Sequence, residues 1–298
     1  MLARMELSGL YVPLITPFTE EGELASDALE KLAHGVIDAG ASGVVALGTT
    51  GEPAALTATE RRIVLDVCAR VCRERGAALI AGAGSNDTVS TARAVRDLAA
   101  WPQICAALIV MPYYTRPSQD GIIAHFTRVA ADSPVPVLVY NIPYRTGVSA
   151  TLETLRALAR VPGVAGIKHA VGGIDADTVL LLADPPEHFA VLAGDDMFAS
   201  SLLALGAAGG ILASAHLCAG EFAALIAAWR GGDAVTAREL GRRLAPLSAA
   251  LFAEPNPAVI KGVLHAQGRI PSPAVRLPHV PASAAAVRTA MSLLAGSD

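Results

Sequence analysis

Several features are scarce in this sequence of 298 residues, and each scarcity excludes a class of protein. Cysteine occurs only four times, too few for a disulfide framework in a chain of this length, so a reducing, cytoplasmic setting is expected. Charged residues make up 17% and hydrophobic residues 53%, which excludes a disordered chain. With 23 basic and 27 acidic residues the net charge is −4, so no nucleic-acid partner is predicted.

Several functional motifs are also missing. The sequence has no GK[ST] phosphate loop, and GAGSND at 82–87 lacks the third glycine of a dinucleotide fingerprint. The seven histidines form no HxH or HExxH pair, and Cys68 and Cys72 are better explained as buried small hydrophobes than as ligands, so no metal site is predicted. Arg4 and Glu6 stand where a signal peptide needs an apolar segment, so no export signal is expected.

One stretch, residues 197–220, carries no charged side chain and is long enough to cross a bilayer. However, Gly209 and Gly210 divide it, and His216 lies inside it. We interpret it as a short buried helix followed by a short buried strand, and expect no membrane span.

Short apolar runs recur along the chain, each followed by a longer amphipathic stretch. The runs do not alternate apolar and polar residues, which is typical of strands buried on both faces. Eight such units in succession predict a closed (β/α)₈ TIM barrel of the α/β class rather than an open doubly wound sheet. The predicted strands lie in the runs 10–18, 43–48, 78–84, 106–114, 136–143, 164–170, 189–196 and 209–215.

The barrel pattern ends near residue 216, and helical patterns fill the rest of the chain. They cover 219–230, 237–252, 257–268 and a stretch after Pro281, with no linker rich in proline, serine or charge before them. We therefore expect a barrel over residues 1–218 that carries the active site, and an all-helical C-terminal extension over 219–298 packed on it. Helix N-caps are predicted at Ser26, Thr57 and Asp87, and helix ends at Gly40 and Gly76.

In a TIM barrel, functional side chains lie at the carboxyl ends of the strands and in the loops that follow. The polar residues of the predicted strands collect at that end. A purely structural barrel has no reason to place them there. They are Thr49, Thr50, Glu52, Tyr113, Tyr114, Tyr140, Arg145, Lys168, Asp195 and Asp196.

Lys168 gives the sharpest signal, because the run 164–170 around it is otherwise apolar or small apart from His169. A charged amine in a barrel interior is unfavourable unless it is paired or loses its proton. A neutral buried amine attacks carbonyl groups and forms a Schiff base. The alternative is a structural ion pair between Lys168 and a carboxylate such as Asp195.

Each of the other polar residues at the carboxyl end of the predicted barrel has two possible interpretations, one chemical and one structural. Thr49 and Thr50 lie between two glycines and offer N–H groups and hydroxyls to a carboxylate or phosphate, although the same residues also make ordinary turns. Tyr140 is either a proton carrier near the amine or a strand residue with a satisfied hydroxyl. Arg145 either clamps a carboxylate in a bidentate fork or is a solvated loop arginine.

Together these elements resemble a known family. The sequence is similar to the dihydrodipicolinate synthase and N-acetylneuraminate lyase family, which are class I aldolases that form a Schiff base with pyruvate. The resemblance runs in family order over nearly the whole chain. It is carried by LGTTGE (47–52), AGAGSN (81–86), MPYYTRPSQDGIIAHF (111–126), YNIPYRTG (140–147), GIKHA (166–170), AGDD (193–196) and EPNP (254–257).

The resemblance implies a role for each matching residue. Lys168 forms the imine with pyruvate, and Thr49 and Thr50 hold the pyruvate carboxylate. Tyr140 relays protons through Thr49 to Tyr114, a tyrosine that family members borrow from the neighbouring subunit. No dissociable cofactor is implied, because Lys168 itself supplies the electron sink.

The remaining matches concern substrate binding and assembly. Gly194 and Ile211 line the pyruvate pocket, and Arg145 binds the carboxylate of L-aspartate 4-semialdehyde. The implied reaction condenses this aldehyde with pyruvate to a cyclic dicarboxylate on the route to diaminopimelate and lysine. The implied partners are these small molecules and further copies of the chain, in a homotetramer built as a dimer of dimers.

Arg145 favours this reaction over others in the family, because a second carboxylate explains an arginine there and a sugar aldehyde does not. Two residues depart from the usual pattern: His169 stands where an acidic residue is common, and Tyr144 is bulkier than the usual residue before the arginine. The pocket that binds inhibitory lysine in some members also differs, so weak or absent inhibition by lysine is expected. Its matching positions are Pro53, Ala54, Ala58, Arg61 and Ser90, with Asn86 and Tyr113 retained.

Two alternatives stay open from the sequence. One is another pyruvate-dependent aldolase or hydratase of the same family that acts on a different aldehyde or keto acid. The other is a catalytically silent barrel that senses pyruvate or an amino acid, although a sensor needs neither the nucleophile Lys168 nor a proton relay.

Overall fold

The computed structural model describes residues 7–296. Arg4 and Glu6, on which the expectation of no export signal rests, lie outside the described residues.

Eight parallel strands close into a barrel, each hydrogen-bonded to the next in chain order and the last to the first. The predicted TIM barrel is confirmed. Residues of most of these strands are buried on both faces, which explains their uninterrupted apolar runs. The strands are β1 (Gly9–Pro13), β2 (Gly43–Ala46), β3 (Ala78–Gly82), β4 (Ile104–Val110), β5 (Val137–Asn141), β6 (Val164–His169), β7 (Ala190–Ala193) and β8 (Gly209–Ile211).

Twelve α-helices are present in the described range 7–296. They are α1 (Ser26–Asp38), α2 (Ala58–Arg75), α3 (Thr88–Asp97), α4 (Gln119–Asp132), α5 (Pro143–Thr146), α6 (Leu152–Ala159), α7 (Ala176–Ala183), α8 (Ala199–Ala204), α9 (Ala215–Gly231), α10 (Ala234–Leu251), α11 (Ala258–Ala266) and α12 (Ala284–Ala295).

The predicted helix boundaries are mostly confirmed, with one error. Thr57 caps α2 in a reciprocal capping box with Glu60, and Asp87 caps α3. Gly76 ends α2 in the left-handed conformation. The predicted cap at Ser26 is wrong, because Ala25 takes the N-cap position and leaves Ser26 as the first helical residue. The N–H of Ala25 donates to the carbonyl of Pro17, which sets where the helix begins.

Two apolar clusters form the core, one on each side of the strands. The larger lies between the barrel and the surrounding helices. The smaller fills the barrel interior and includes Tyr11, Leu138, Tyr140, Leu192 and Ile211. Since side chains alternate across a strand, every second residue of a strand points into this interior.

The uncharged stretch 197–220 folds as a short 3₁₀ turn, α8, β8 and the start of α9. No helix of the described chain is long and apolar enough to cross a membrane. Beyond it, α9 packs against β1 and α1, α10 packs against α8 and α9, and α12 packs against α10 and α11. The helical C-terminal region is thus packed on the barrel.

Candidate active site

Lys168 and Tyr140 lie side by side near the carboxyl ends of neighbouring strands. They are register partners of β6 and β5, so both side chains point into the barrel. Each is 6% exposed, and the Nζ atom of Lys168 lies 4.4 Å from the centre of the Tyr140 ring. The sequence prediction that these two residues share one site is consistent with this arrangement. The buried amine rests on an aromatic face.

The alternative assignment of Lys168 to an ion pair with Asp195 finds no support. Within residues 7–296 no carboxylate lies within salt-bridge distance of Lys168, and Asp195 instead accepts hydrogen bonds from Tyr144 and Gly172. Lys168 instead influences the pKa of a different acid, Asp196. Burial raises the pKa of Asp196 to about 6, although a hydrogen bond from the Ser214 N–H and the charge of Lys168 both act to lower it.

Gly194 and Ile211 lie beside this pair, at the ends of β7 and β8. A Cβ atom on Gly194 would lie 2.9 Å from both Cγ of Lys168 and Cβ of Ala170. Ile211 is fully buried in the same interior cluster as Tyr140. The absence of a side chain at Gly194 therefore leaves the space that the Lys168 side chain occupies.

Thr49 and Thr50 lie in a 3₁₀ turn, Thr49–Gly51, directly after β2. Thr49 is half-buried, and the buried hydroxyl of Thr50 accepts a hydrogen bond of 3.0 Å from the side-chain amide of Asn256. The hydroxyl of Thr16 donates to the carbonyl of Gly51 at 2.7 Å. The turn is thus held from the segment after β1 on one side and from the C-terminal region on the other.

A buried ion pair holds the end of the same turn. Glu52 adopts a left-handed backbone conformation, and its carboxylate accepts 2.5 Å from Nζ of Lys261 and 2.9 Å from the N–H of Arg276. Both side chains of the pair are at most 1% exposed. Burial lowers the pKa of Lys261 to about 8, while the Glu52 carboxylate opposes this shift. Sequence reasoning missed Lys261, although it too is a lone charge in an apolar segment, PAVIKGVLHA.

Arg145 lies in the four-residue helix α5, directly after β5. The residue is exposed, and within residues 7–296 its guanidinium forms no hydrogen bond or ion pair. The neighbouring loop after β4 is fastened to this segment, because Arg116 donates to the carbonyl of Gly147 at 2.8 Å and Gln119 donates to that of Ser149 at 3.0 Å. Arg145 is therefore available to a ligand carboxylate at the barrel mouth.

Tyr114 is not brought into the cluster by this chain. It is 88% exposed and has a φ of 71°, a conformation that is uncommon for a large side chain. Among the described residues, no hydrogen bond joins it to Thr49 or Tyr140. The loop presents the phenol outward.

Nothing in the described part of the chain resembles a metal centre. No group of three or more His, Cys, Asp or Glu side chains in residues 7–296 is placed to hold an ion. All four cysteines are unpaired, and Cys68, Cys72 and Cys218 are buried.

The sequence profile of the Dihydrodipicolinate synthetase family matches residues 6–296. The chain belongs to this family. A 4-hydroxy-tetrahydrodipicolinate synthase of Neisseria meningitidis serogroup B is 39% identical over 275 residues, which are 92% of this chain and 93% of the relative. A protein named 4-hydroxy-tetrahydrodipicolinate synthase 2 from Clostridium acetobutylicum is 37% identical over 94% of this chain and 96% of its own.

Solved structures of family members match the fold closely. The 4-hydroxy-tetrahydrodipicolinate synthase of Methylacidiphilum fumariolicum SolV superposes with a TM-score of 0.92 at 32% identity, covering 97% of this chain and 95% of that one. The chloride-inhibited dihydrodipicolinate synthase of Acinetobacter baumannii, complexed with pyruvate, gives the same TM-score and identity over 97% and 99% of the two chains.

The two residues that depart from the pattern of this dihydrodipicolinate synthetase family lie in different places. His169 follows Lys168 and so points away from the barrel interior, where its Nε2 lies 2.8 Å from the hydroxyl of Thr178. Burial lowers the pKa of His169. Tyr144 instead lies at the mouth beside Arg145, and its hydroxyl donates to Asp195 at 2.8 Å. Only the second departure alters the surroundings of the candidate site.

Proposed function

We propose that this protein condenses pyruvate with L-aspartate 4-semialdehyde to give 4-hydroxy-tetrahydrodipicolinate, a step of diaminopimelate and lysine biosynthesis. The observation that carries the proposal is Lys168: a buried amine inside the mouth of a TIM barrel, on the face of Tyr140, with no carboxylate partner among the described residues. The relatives named 4-hydroxy-tetrahydrodipicolinate synthase and the pyruvate complex of the Acinetobacter baumannii enzyme support this substrate pair.

The chemistry follows from the amine. Nζ of Lys168 attacks C2 of pyruvate, and loss of water leaves an imine. Removal of a C3 proton gives an enamine, whose C3 forms a carbon–carbon bond to the aldehyde carbon. The amino group of the semialdehyde then replaces Nζ at C2, which closes the ring and frees Lys168. No dissociable cofactor is needed, because the protonated imine takes up the electron pair.

The surrounding residues have roles that the geometry supports. Thr49 and Thr50 bind the pyruvate carboxylate from a turn that is held on both sides. Tyr140, next to the imine nitrogen, exchanges protons through Thr49 with Tyr114.

Three further residues complete the substrate site. Gly194 and Ile211 line the pyruvate pocket, Gly194 by leaving the space that the Lys168 side chain occupies. Arg145 binds the carboxylate of the semialdehyde, a role consistent with a guanidinium that has no protein partner within residues 7–296.

We also infer a division of roles and an assembly. Residues 1–218 carry the chemistry, and residues 219–298 brace the carboxylate-binding turn through Asn256 and Lys261. The exposure of Tyr114 supports a homotetramer in which this phenol enters the site of a second copy. The unpaired cysteines are consistent with a cytoplasmic location.

A second candidate is condensation of pyruvate with a different aldehyde, since Tyr144 departs from the family pattern on the acceptor side of the mouth. Its hydrogen bond to Asp195 joins the loops after β5 and β7 on that side. Turnover of aldehydes that lack a carboxylate, at rates above those with the semialdehyde, would support this candidate over the first.

The proposal is tested by two measurements on the same protein. Borohydride reduction in the presence of pyruvate should attach a stable adduct to Lys168, which peptide mapping identifies easily because the chain has only two other lysines, Lys31 and Lys261. A coupled assay with the semialdehyde should give turnover of at least about 1 s⁻¹.

Variants at the lysines test which residue forms the adduct and supports turnover. Lys168→Ala and Lys168→Arg should lose both adduct and turnover while keeping the fold, since arginine retains the charge but forms no imine. Lys31→Arg, on an exposed face of α1, should retain both. An active Lys168→Ala variant, or an adduct on Lys261, contradicts the mechanism.

A further inference from the structure

Three loops at the barrel mouth are joined by one carboxylate. Asp195, in the loop after β7, accepts 2.8 Å from the hydroxyl of Tyr144 after β5 and 2.7 Å from the N–H of Gly172 after β6. We call Tyr144, Asp195 and Gly172 the mouth clasp. Each oxygen of the carboxylate has one protein donor, so both are engaged before a ligand arrives.

At Gly172, the backbone of the clasp lies against the side chain of Tyr144. This residue has a φ of 79°, and a Cβ atom on it would lie 3.7 Å from Cδ1 of Tyr144. The Tyr144 ring therefore packs against the backbone of the β6 loop on one side, while the residue stays 58% exposed to solvent. A side chain at Gly172 would be strained by this positive φ, although its Cβ would make only an ordinary contact with the ring.

The phenol of Tyr144 is a permanent donor in this arrangement. Loss of solvation around the hydroxyl, followed by the negative charge of Asp195, raises the pKa of Tyr144, and the proximity of Tyr140 adds to the increase. The hydroxyl keeps its proton at all physiological pH values and continues to donate to Asp195.

The clasp lies beside the two residues that define the proposed substrate site, Lys168 and Arg145. Asp195 directly follows Gly194, which packs against Cγ of Lys168, while Tyr144 directly precedes Arg145 in the four-residue helix α5. A molecule that reacts at Lys168 and is held at Arg145 therefore passes along the clasp. The clasp thus limits the chain length and the polarity of the acceptor aldehyde.

We propose that Tyr144 is a specificity-determining residue, which restricts the acceptor to a short aldehyde carrying a carboxylate and excludes longer polyhydroxylated aldehydes. The ring occupies space on the acceptor side, and its hydrogen bond takes up the Asp195 oxygen that would otherwise accept from substrate hydroxyls. A carboxylate that already has a protein donor on each oxygen gains less from those hydroxyls, which must still be desolvated. The inference rests on the proposed function and names the class of its second substrate.

The experiment compares variants on two classes of aldehyde. Tyr144→Phe removes the bond and keeps the ring; Tyr144→Ser removes both. Each is assayed for kcat/KM with L-aspartate 4-semialdehyde and with aldoses of four and five carbons, erythrose and arabinose. We expect Tyr144→Ser to raise the aldose-to-semialdehyde ratio of kcat/KM by at least about tenfold, with Tyr144→Phe intermediate.

Two controls separate specificity from general damage. The pyruvate concentration that gives half-maximal borohydride trapping on Lys168 should stay within about twofold of wild type, because the clasp does not touch the imine. In an Asp195→Asn background, Tyr144→Phe should change the ratio less than in the wild type, because the two residues act through one bond.

The outcomes distinguish this inference from the proposed function. An unchanged ratio in both Tyr144 variants that still form the adduct overturns the role of the clasp. A wild type that prefers an aldose overturns the proposed second substrate and the exclusion argued here. A wild type that traps pyruvate but turns over neither class also overturns both.

Discussion

Gly194 shows how one missing side chain shapes the reactive residue. Its ideal Cβ would lie 2.9 Å from Cγ of Lys168, 2.9 Å from Cβ of Ala170 and 3.1 Å from the carbonyl oxygen of His169. The first neighbour belongs to a flexible side chain, but the other two belong to strand β6 and its end. Any residue except glycine therefore displaces Lys168 and also strains the end of β6.

We expect Gly194→Ala to lower kcat at least about tenfold by misplacing Nζ, since a small displacement of a reacting atom has a large effect on rate. Overpacking should lower the free energy of unfolding by about 1–3 kcal/mol. The rate is measured in the coupled assay and the stability by urea unfolding.

A matched control lies in the neighbouring loop, after β6. Gly173 has no atom within 4 Å of an added Cβ and its φ is not in the left-handed region, so Gly173→Ala should leave both quantities unchanged. If Gly194→Ala kept full activity, the close approach to Lys168 would have no functional meaning.

The two buried lysines show what the sequence can and cannot reveal at this scale. A lone charge in an apolar run predicts Lys168, and family resemblance gives it a role. The same signal is present at Lys261, but its partner Glu52 lies 209 positions earlier in the chain, and no local pattern predicts that pairing. The spacing of residues within a strand predicts which way each side chain points and whether it is buried. Partners that are distant in the sequence can be identified only from the folded structure.

At the scale of elements, the turn after β2 depends on the C-terminal helices. Lys261 of α11 bonds to Glu52 and also donates to the carbonyl of Ala274 at 2.9 Å, while Asn256, just before α11, bonds to Thr50. The helical extension thus positions the turn that is proposed to bind the pyruvate carboxylate. The sequence predicted that this extension packs on the barrel, but not that it reaches this turn.

Replacing Lys261 with methionine should leave Glu52 buried without its cation. We expect the free energy of unfolding to fall by about 3–5 kcal/mol, the usual effect of breaking a buried pair by removing one partner. In protein that remains folded, the KM for pyruvate should rise more than kcat falls, because the binding turn loosens while Lys168 is untouched. Urea unfolding and steady-state kinetics measure the two effects.

The double variant Glu52→Gln/Lys261→Met serves as the comparison, because it removes both charges together. It should be markedly more stable than the sum of the single effects implies. A double variant destabilised by the full sum of the two single losses would show that the charge pair itself does not hold the turn.

At the scale of the whole molecule, eight repeated strand–helix units made the closed barrel predictable, because each unit needs a neighbour to bury its second face. The ends of the strands were less predictable: β1 is Gly9–Pro13, so only residues 10–13 of the predicted run 10–18 form a strand, and the chain leaves the barrel after Pro13. The position of Tyr114 cannot be understood from a single chain. Family resemblance assigns it to the site, yet this chain holds it 88% exposed.

Mixed assemblies test whether Tyr114 works in a second copy. Tyr114→Phe alone should lower kcat by about 10²–10⁴, the usual contribution of a proton-transfer group, and Lys168→Ala alone should be inactive. Heteromers of the two variants, purified through two different tags, should regain activity far above either parent. In each such pair, one site holds an intact Lys168 together with the intact Tyr114 of the other chain.

The matched control pairs Lys168→Ala with Tyr140→Phe. Tyr140 lies 4.4 Å from Lys168 in the same chain, so no exchange of subunits brings the two native residues back into one site. These heteromers should stay inactive. If Tyr114→Phe heteromers regained no more activity than the Tyr140→Phe ones, Tyr114 would act within its own chain or not at all, and its exposed position would need a different explanation.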